Sequence, residues 1–159
     1  GMAIMASREG LEFESVIESD SAPLNHIVSD MISSGIEIHC MRDCTRGGLA
    51  TTAVEIAKSS GMRIDLIEKN IPVREDVRGA CEILGLDPLY VANEGRFIIF
   101  IPEKDRLKTY EIFKKHNSVD AAVIGTVSQK NDGIVTLQNV LGTVRVLDML
   151  TGEQLPRIC

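Results

Sequence analysis

The sequence predicts an α+β domain built on a mixed β-sheet, and three observations carry that prediction. Helical and extended segments follow one another without strict alternation, which argues against a doubly wound parallel fold. Three extended segments fall together late in the chain. The run Phe97-Ile-Ile-Phe-Ile101 is apolar at every position, as expected of a strand covered on both faces. A length of 159 residues with 44% hydrophobic and 25% charged content suits one globular domain with a single sizeable core.

The elements can be justified in order. Leu24, Ile27, Val28, Met31 and Ile32 recur at helical spacing, with cap-competent Ser21 and Pro23 before them and Gly35 as a stop. Residues 36–41 alternate as a short strand. Leu49, Ala53, Ile56 and Ala57 mark a second helix ending at Gly61, and residues 63–67 read as a strand. Val73, Val77, Ala80, Cys81 and Leu84 form a third helical face that stops at Gly85. After the strand at 97–101, Pro102 opens a helix carrying Leu107, Tyr110 and Phe113. Residues 121–127, 134–138 and 143–147 read as strands, the first two joined by Lys130-Asn-Asp-Gly133, a hairpin-type turn signal.

Composition excludes several function classes. A net charge of −6 argues against non-specific binding to nucleic acid or anionic membrane. No apolar run approaches the ~20 residues that span a bilayer, and the first residues lack the pattern of a signal peptide. Cys40, Cys44, Cys81 and Cys159 therefore point to a reduced, cytoplasmic setting. Cys40 and Cys44 resemble half a zinc site, but His26, His39 and His116 are scattered singly and supply no second half, so no metal site is expected. Aromatic residues, at 4%, are too few for a base-stacking platform.

Two segments and the final residue are candidates for chemistry. In residues 41–50, Met-Arg-Asp-Cys-Thr-Arg-Gly-Gly-Leu-Ala, Gly47 and Gly48 stand at a helix start. There, backbone N–H groups and the helix dipole favour a phosphate. Thr45 can cap the helix or donate to a phosphate oxygen, Arg42 or Arg46 can neutralise it, and Asp43 can accept from a nucleotide or help hold a cation. An ordinary strand-to-helix turn explains the same residues. In residues 90–95, Tyr-Val-Ala-Asn-Glu-Gly, Glu94 is a candidate general base and Asn93 could orient a carbonyl or amide. A surface turn needs neither role. Glu55 reads as a solvated helix residue. Cys159 follows Pro-Arg-Ile, so its thiol sits on a tail beyond a proline: either a frayed end or a mobile nucleophile.

Taken together, residues 41–50, 71–75 with 79–95, and 147–159 resemble the HypE family of hydrogenase maturation proteins, with the Pro-Arg-Ile-Cys159 ending the most specific match. The resemblance covers only that family's C-terminal domain. This domain is similar to those of aminoimidazole ribonucleotide synthetase, selenophosphate synthetase and thiamine-monophosphate kinase. It implies an AIR synthase C-terminal-domain-like fold, with helices packed on one side of the mixed sheet. It also implies three parts: a leading segment, 1–20, from a missing N-terminal ATP-binding domain; the domain proper, 21–148; and a flexible cysteine-ended tail, 149–159.

The chemistry implied is ATP-dependent dehydration of a carbamoyl group on Cys159 to a thiocyanate, the source of the cyanide ligand of [NiFe]-hydrogenase. A HypF-type carbamoyltransferase would load Cys159, and a HypC–HypD scaffold would receive the cyano group. Asp43, Thr45, Arg46, Gly47 and Gly48 would share the ATP site, and Glu94 would remove the N–H proton. Mg²⁺ would be held mostly by the missing domain. The full-length protein would be a homodimer, and the isolated domain would be inactive. Cys44 stands where the family usually has proline, which loosens the loop entry and places a second thiol near the site. A related ATP-dependent kinase or synthetase, or a non-catalytic docking module, is the alternative.

Overall fold

The structure, a computed structural model, describes residues 1–3, 5, 19–118 and 120–149. The leading segment lies largely outside them, as do residues 150–159 of the tail. Helix α1 is Asn25–Ser33, β1 Cys40–Asp43, α2 Gly48–Ser60, β2 Arg63–Ile67, α3 Glu75–Leu84 and β3 Phe97–Phe100. Then come α4 Arg106–Lys115, β4 Gly125–Ser128, β5 Val135–Gln138 and β6 Val144–Leu147. Short 3₁₀ turns occupy Glu68–Asn70, Pro88–Tyr90 and Glu103–Asp105.

The predicted α+β class with a mixed sheet is what forms. Four strands lie in the order β4-β2-β5-β6, with β2 and β5 parallel and the outer pairings antiparallel. Ile64 and Leu66 of β2, Val135 and Leu137 of β5 and Leu147 of β6 share a core with Ala50, Ala53, Val54, Ile56 and Ala57 of α2. Small residues along α2 let the helix lie close to the sheet. On the opposite face, Thr136 Oγ1 donates to Asp65 Oδ1 at 2.6 Å.

Strands β1 and β3 form a separate antiparallel ribbon. Ile98 and Phe100 join the α2 core, whereas Phe97 and Ile99 pack with Ile27, Met31, Ile36 and Ile112 between α1 and α4. The all-apolar run is thus covered on both faces, although among the described residues β3 has one hydrogen-bonded neighbour. Met2 is buried with Ala80, Cys81 and Val91 beside α3.

Three expectations need correction. Helix α1 starts at Asn25 after Leu24, with no side-chain cap, so Ser21 does not cap it. The first strand begins at Cys40, because Ile36 is buried between the helices and the Glu37 N–H donates to Asp105 Oδ2 at 2.9 Å. The Asn-Asp-Gly turn does not close a hairpin, since β2 inserts between β4 and β5. Asp132 fastens that turn to the start of β2 through Arg63 instead. Among the described residues, no helix is long and apolar enough to cross a membrane.

Candidate active site

The β1–β3 ribbon brings the two candidate loops to one end of the molecule. Asp43 pairs with Phe97, so the chain leaving β1 runs beside the chain entering β3. Beyond that pair, the Cys44 N–H donates to the Arg96 carbonyl at 3.3 Å and the Asn93 N–H donates to the Cys44 carbonyl at 2.9 Å. The Thr-Arg-Gly-Gly loop and the Asn93-Glu94-Gly95 turn, distant in sequence, are therefore hydrogen-bonded to each other. Backbone groups alone make these links, which is why no side-chain pattern announces them.

From Cys44 the loop turns into α2. Gly47 precedes the helix at φ 71°, with no side-chain cap, so Thr45 does not cap α2. The Gly48 N–H donates to the Thr45 carbonyl at 3.2 Å, and Thr52 Oγ1 donates to the Asp43 carbonyl at 3.2 Å. Gly48, at φ 62°, is buried. A Cβ there would lie 2.5 Å from the Leu89 carbonyl oxygen and 2.6 Å from that of Val91. Close packing against the Pro88–Tyr90 turn thus requires glycine, independently of any ligand. A Cβ on Gly47 would meet Thr51 Oγ1 at 2.2 Å. Among the described residues, Thr51 Oγ1 is buried with no hydrogen-bond partner, an open polar group in the first turns of α2. Sequence reasoning missed it, because a threonine inside an apolar helix carries no signal of what its hydroxyl faces.

The charged candidates are placed variously. Asp43, Arg46 and Glu94 are exposed. Arg42 is engaged by Glu55 at 3.0 Å, so Glu55 is a paired residue of the helix surface. The Glu94 N–H donates to Asp20 Oδ2 at 3.2 Å, which fixes the turn while leaving the Glu94 side chain at the surface. Asn93 Nδ2 donates to the Val91 carbonyl at 2.8 Å, inside its own turn. Cys44 is buried, and burial, reinforced by neighbouring Asp43, pushes its thiol up to about 11. It fills a core position and is poorly suited to disulfide exchange. No group of three or more His, Cys, Asp or Glu among the described residues could hold a metal ion.

Cys159 lies outside the described residues, but the root of its tail does not. Tyr90 OH donates to the Asp148 carbonyl at 2.9 Å, Lys58 Nζ lies 3.5 Å from Asp148 Oδ1, and Met149 packs on the α2 core. Arg145 of β6 reaches Asp87 at 2.7 Å, and Asp87 accepts from the Leu89 N–H at 3.0 Å to cap the Pro88–Tyr90 turn. That turn therefore touches the tail root, the buried Gly48 and the chain leading to Glu94.

Residues 1–138 match the family model for AIR synthase related protein, C-terminal domain. The carbamoyl dehydratase HypE of Azotobacter vinelandii is 48% identical over 160 residues, an alignment covering 100% of this chain and 47% of that protein. A crystal structure of the hydrogenase maturation protein HypE in complex with ATP superposes with a TM-score of 0.91 at 43% identity, over 100% of this chain and 49% of that one. A HypE–HypF complex matches with a TM-score of 0.88 at 40% identity, covering 94% of this chain and 49% of that one. The chain spans about half the length of the curated relatives it matches. It belongs to the AIR synthase related family, as a C-terminal domain of the kind found in HypE.

Proposed function

We propose that the chain is the C-terminal part of an ATP-dependent carbamoyl dehydratase whose substrate is carried on its own Cys159. One observation supports this most. The Thr-Arg-Gly-Gly loop and the Asn93-Glu94-Gly95 turn are joined through Cys44, and the tail root is held by the turn between them. A candidate phosphate site, a candidate base and the root of the sulfur arm would then share one surface. The relatives named carbamoyl dehydratase and the HypE bound to ATP support the same reading.

The chemistry follows from leaving-group ability. The oxygen of an S-carbamoyl group departs poorly until it is phosphorylated. Attack of that oxygen on the γ-phosphorus of ATP forms the new P–O bond and releases ADP. Cleavage of the C–O bond then expels inorganic phosphate as the nitrogen loses its remaining protons, and a C≡N triple bond is left on sulfur. ATP and S-carbamoyl cysteine become ADP, phosphate, a proton and S-cyano cysteine, with no change of oxidation state. Gly47, Gly48 and the first turn of α2 would face phosphate, with Thr45 as a donor, Arg46 as counter-charge and Asp43 toward the nucleotide. Glu94 would take the N–H proton.

In this reading residues 1–20 enter from an N-terminal ATP-binding domain, which would also hold Mg²⁺ and most of a homodimer interface. Residues 21–148 would form the domain proper, and 149–159 the carrier arm. A HypF-type carbamoyltransferase would load Cys159, consistent with the HypE–HypF complex among similar structures, and a HypC–HypD scaffold would take the cyano group. The setting is cytoplasmic, and the half-length chain alone would not turn over.

Mass spectrometry of the full-length protein tests the assignment. With a carbamoyl-donating partner and ATP, Cys159 is expected to gain first a carbamoyl and then a cyano adduct. ATP hydrolysis that persists unchanged in Cys159→Ala, with no adduct on the parent protein, would overturn it. Glu94→Gln is expected to stop conversion while leaving carbamoylation intact. Cyano formation at the ordinary rate in that variant would remove Glu94 as the base.

A further inference from the structure

We infer that Tyr90 is a positioning residue that anchors the root of the Cys159 arm beside the Glu94 turn. The inference rests on the carrier reading above and adds what sets the arm's point of departure.

Tyr90 ends the Pro88–Tyr90 turn, its ring packs on the α2 core, and its hydroxyl donates to the Asp148 carbonyl at 2.9 Å. Just before Asp148, Leu147 is 3% exposed and closes β6 on Val135. Just after it, Met149 packs against the same core as Tyr90. The strand end, the hydroxyl contact and the methionine thus hold three consecutive residues, 147–149. In the other direction, Tyr90 leads through Val91 and Ala92 to Asn93, whose N–H is tied to the Cys44 carbonyl. The covalent path from anchor to proposed base is therefore only a few residues long, and it is bonded to the candidate phosphate loop.

The ten residues that follow the anchored Met149 reach at most about 33–36 Å when extended. Within such a sphere, the rate of an intramolecular step depends on the effective concentration of the sulfur at the reaction point, which is set by the tether's root as well as its length. A root held by the turn that leads to Glu94 raises the local concentration of the carbamoylated sulfur there without adding any contact at the sulfur. Loading by a separate protein makes no such demand, since that encounter needs only an accessible thiol. The anchor should therefore act on conversion and spare loading. A residue that merely stabilised the domain would change both.

The experiment uses the full-length protein with its carbamoyl-donating partner and ATP, following both adducts of Cys159 by rapid quench and mass spectrometry. Tyr90→Phe keeps the ring and removes only the hydroxyl. It is expected to slow conversion of the carbamoyl to the cyano form roughly two- to tenfold, the range one net hydrogen bond commands. Carbamoyl loading should stay within about twofold. Conversion at the parent rate, or loading slowed as much as conversion, would overturn the anchor. Amide exchange in the same protein separates this from failure of the carrier reading. Tyr90→Phe should speed exchange across residues 147–149 while α2 stays protected, and unchanged exchange would remove the anchor whether or not Cys159 is ever carbamoylated.

Discussion

The Pro88–Tyr90 turn has two neighbours held by opposite means. On one side, the junction of the Thr-Arg-Gly-Gly loop with the Asn93-Glu94-Gly95 turn is made by backbone: two N–H···O bonds through Cys44, and Gly48 pressed onto the Leu89 and Val91 carbonyls. On the other side, the tail root is held at its edge by side chains, the Tyr90 hydroxyl and Lys58, while Arg145 ties β6 to Asp87. Backbone contacts of the first kind cannot be retuned without moving the fold. Side-chain contacts of the second kind can be released and remade at small cost. On the function proposed above, the difference would suit a rigid place for phosphate beside an arm that visits other proteins.

The sharpest way to break the comparison is at Gly48. Alanine there needs a left-handed backbone, unfavourable by about 1–2 kcal/mol, and sets a Cβ 2.5–2.6 Å from two carbonyl oxygens that cannot swing away. The expected loss is about 3–5 kcal/mol, a fall of about 10 °C or more in melting temperature. Nucleotide use should be lost with it in the full-length protein. Scanning calorimetry settles the point: a drop of only a degree or two would mean that the junction yields, and that the two regions do not differ as argued.

A second test asks how dry the junction is. Burial raises the Cys44 thiol to about 11 from its ordinary 9.0. A group raised in this way leaves stability untouched below pH 9. Between about 9 and 11 the unfolded chain gives up its thiol proton and the folded one does not, so stability falls as pH rises. The shift corresponds to a loss on the order of 2–3 kcal/mol by pH 11. Burial moves the Cys81 thiol in the same direction, so the comparison is with Cys44→Ala, in which the Cys44 part of the decline should vanish. An identical pH profile in that variant would show that Cys44 is reached by water.

How far all this was legible in the sequence follows the same division. Periodicity finds α2, β2 and β3, since those elements place alternate or helically spaced apolar residues in a core. It misplaces the first strand because Ile36 is buried between helices, and burial of one residue looks alike in either setting. It turns Asn-Asp-Gly into a hairpin because a turn signal is local, whereas the insertion of β2 between β4 and β5 is a long-range pairing. The motif around Gly47 and Gly48 is visible, but one reason for Gly48, the carbonyls of Leu89 and Val91, is not. Tyr90 stands inside a quoted motif, yet nothing local says that its hydroxyl reaches Asp148.

The smallest expected effect belongs to Lys58. Its ammonium lies 3.5 Å from Asp148 Oδ1, with side-chain exposures of 59% and 82%, so water and salt screen most of the attraction. Asp148 is held below the ordinary carboxylate range first by the Met149 N–H and only then by Lys58, so the carboxylate keeps its main partner when the lysine is cut back. Such a lowered group contributes its stability in full above its unfolded value near 4, pH 7 included, and loses it as pH falls through the folded value. Because the pair is screened, Lys58→Ala should shift a thermal melt at pH 7 by no more than about 1–2 °C. It should also leave exchange at residues 147–149 nearly as slow as in the parent, unlike Tyr90→Phe. Release of the root by Lys58→Ala, or by raised salt alone, would show that charge holds the arm. The contrast between the two regions would then be one of backbone against electrostatics, and the tyrosine hydroxyl would be secondary.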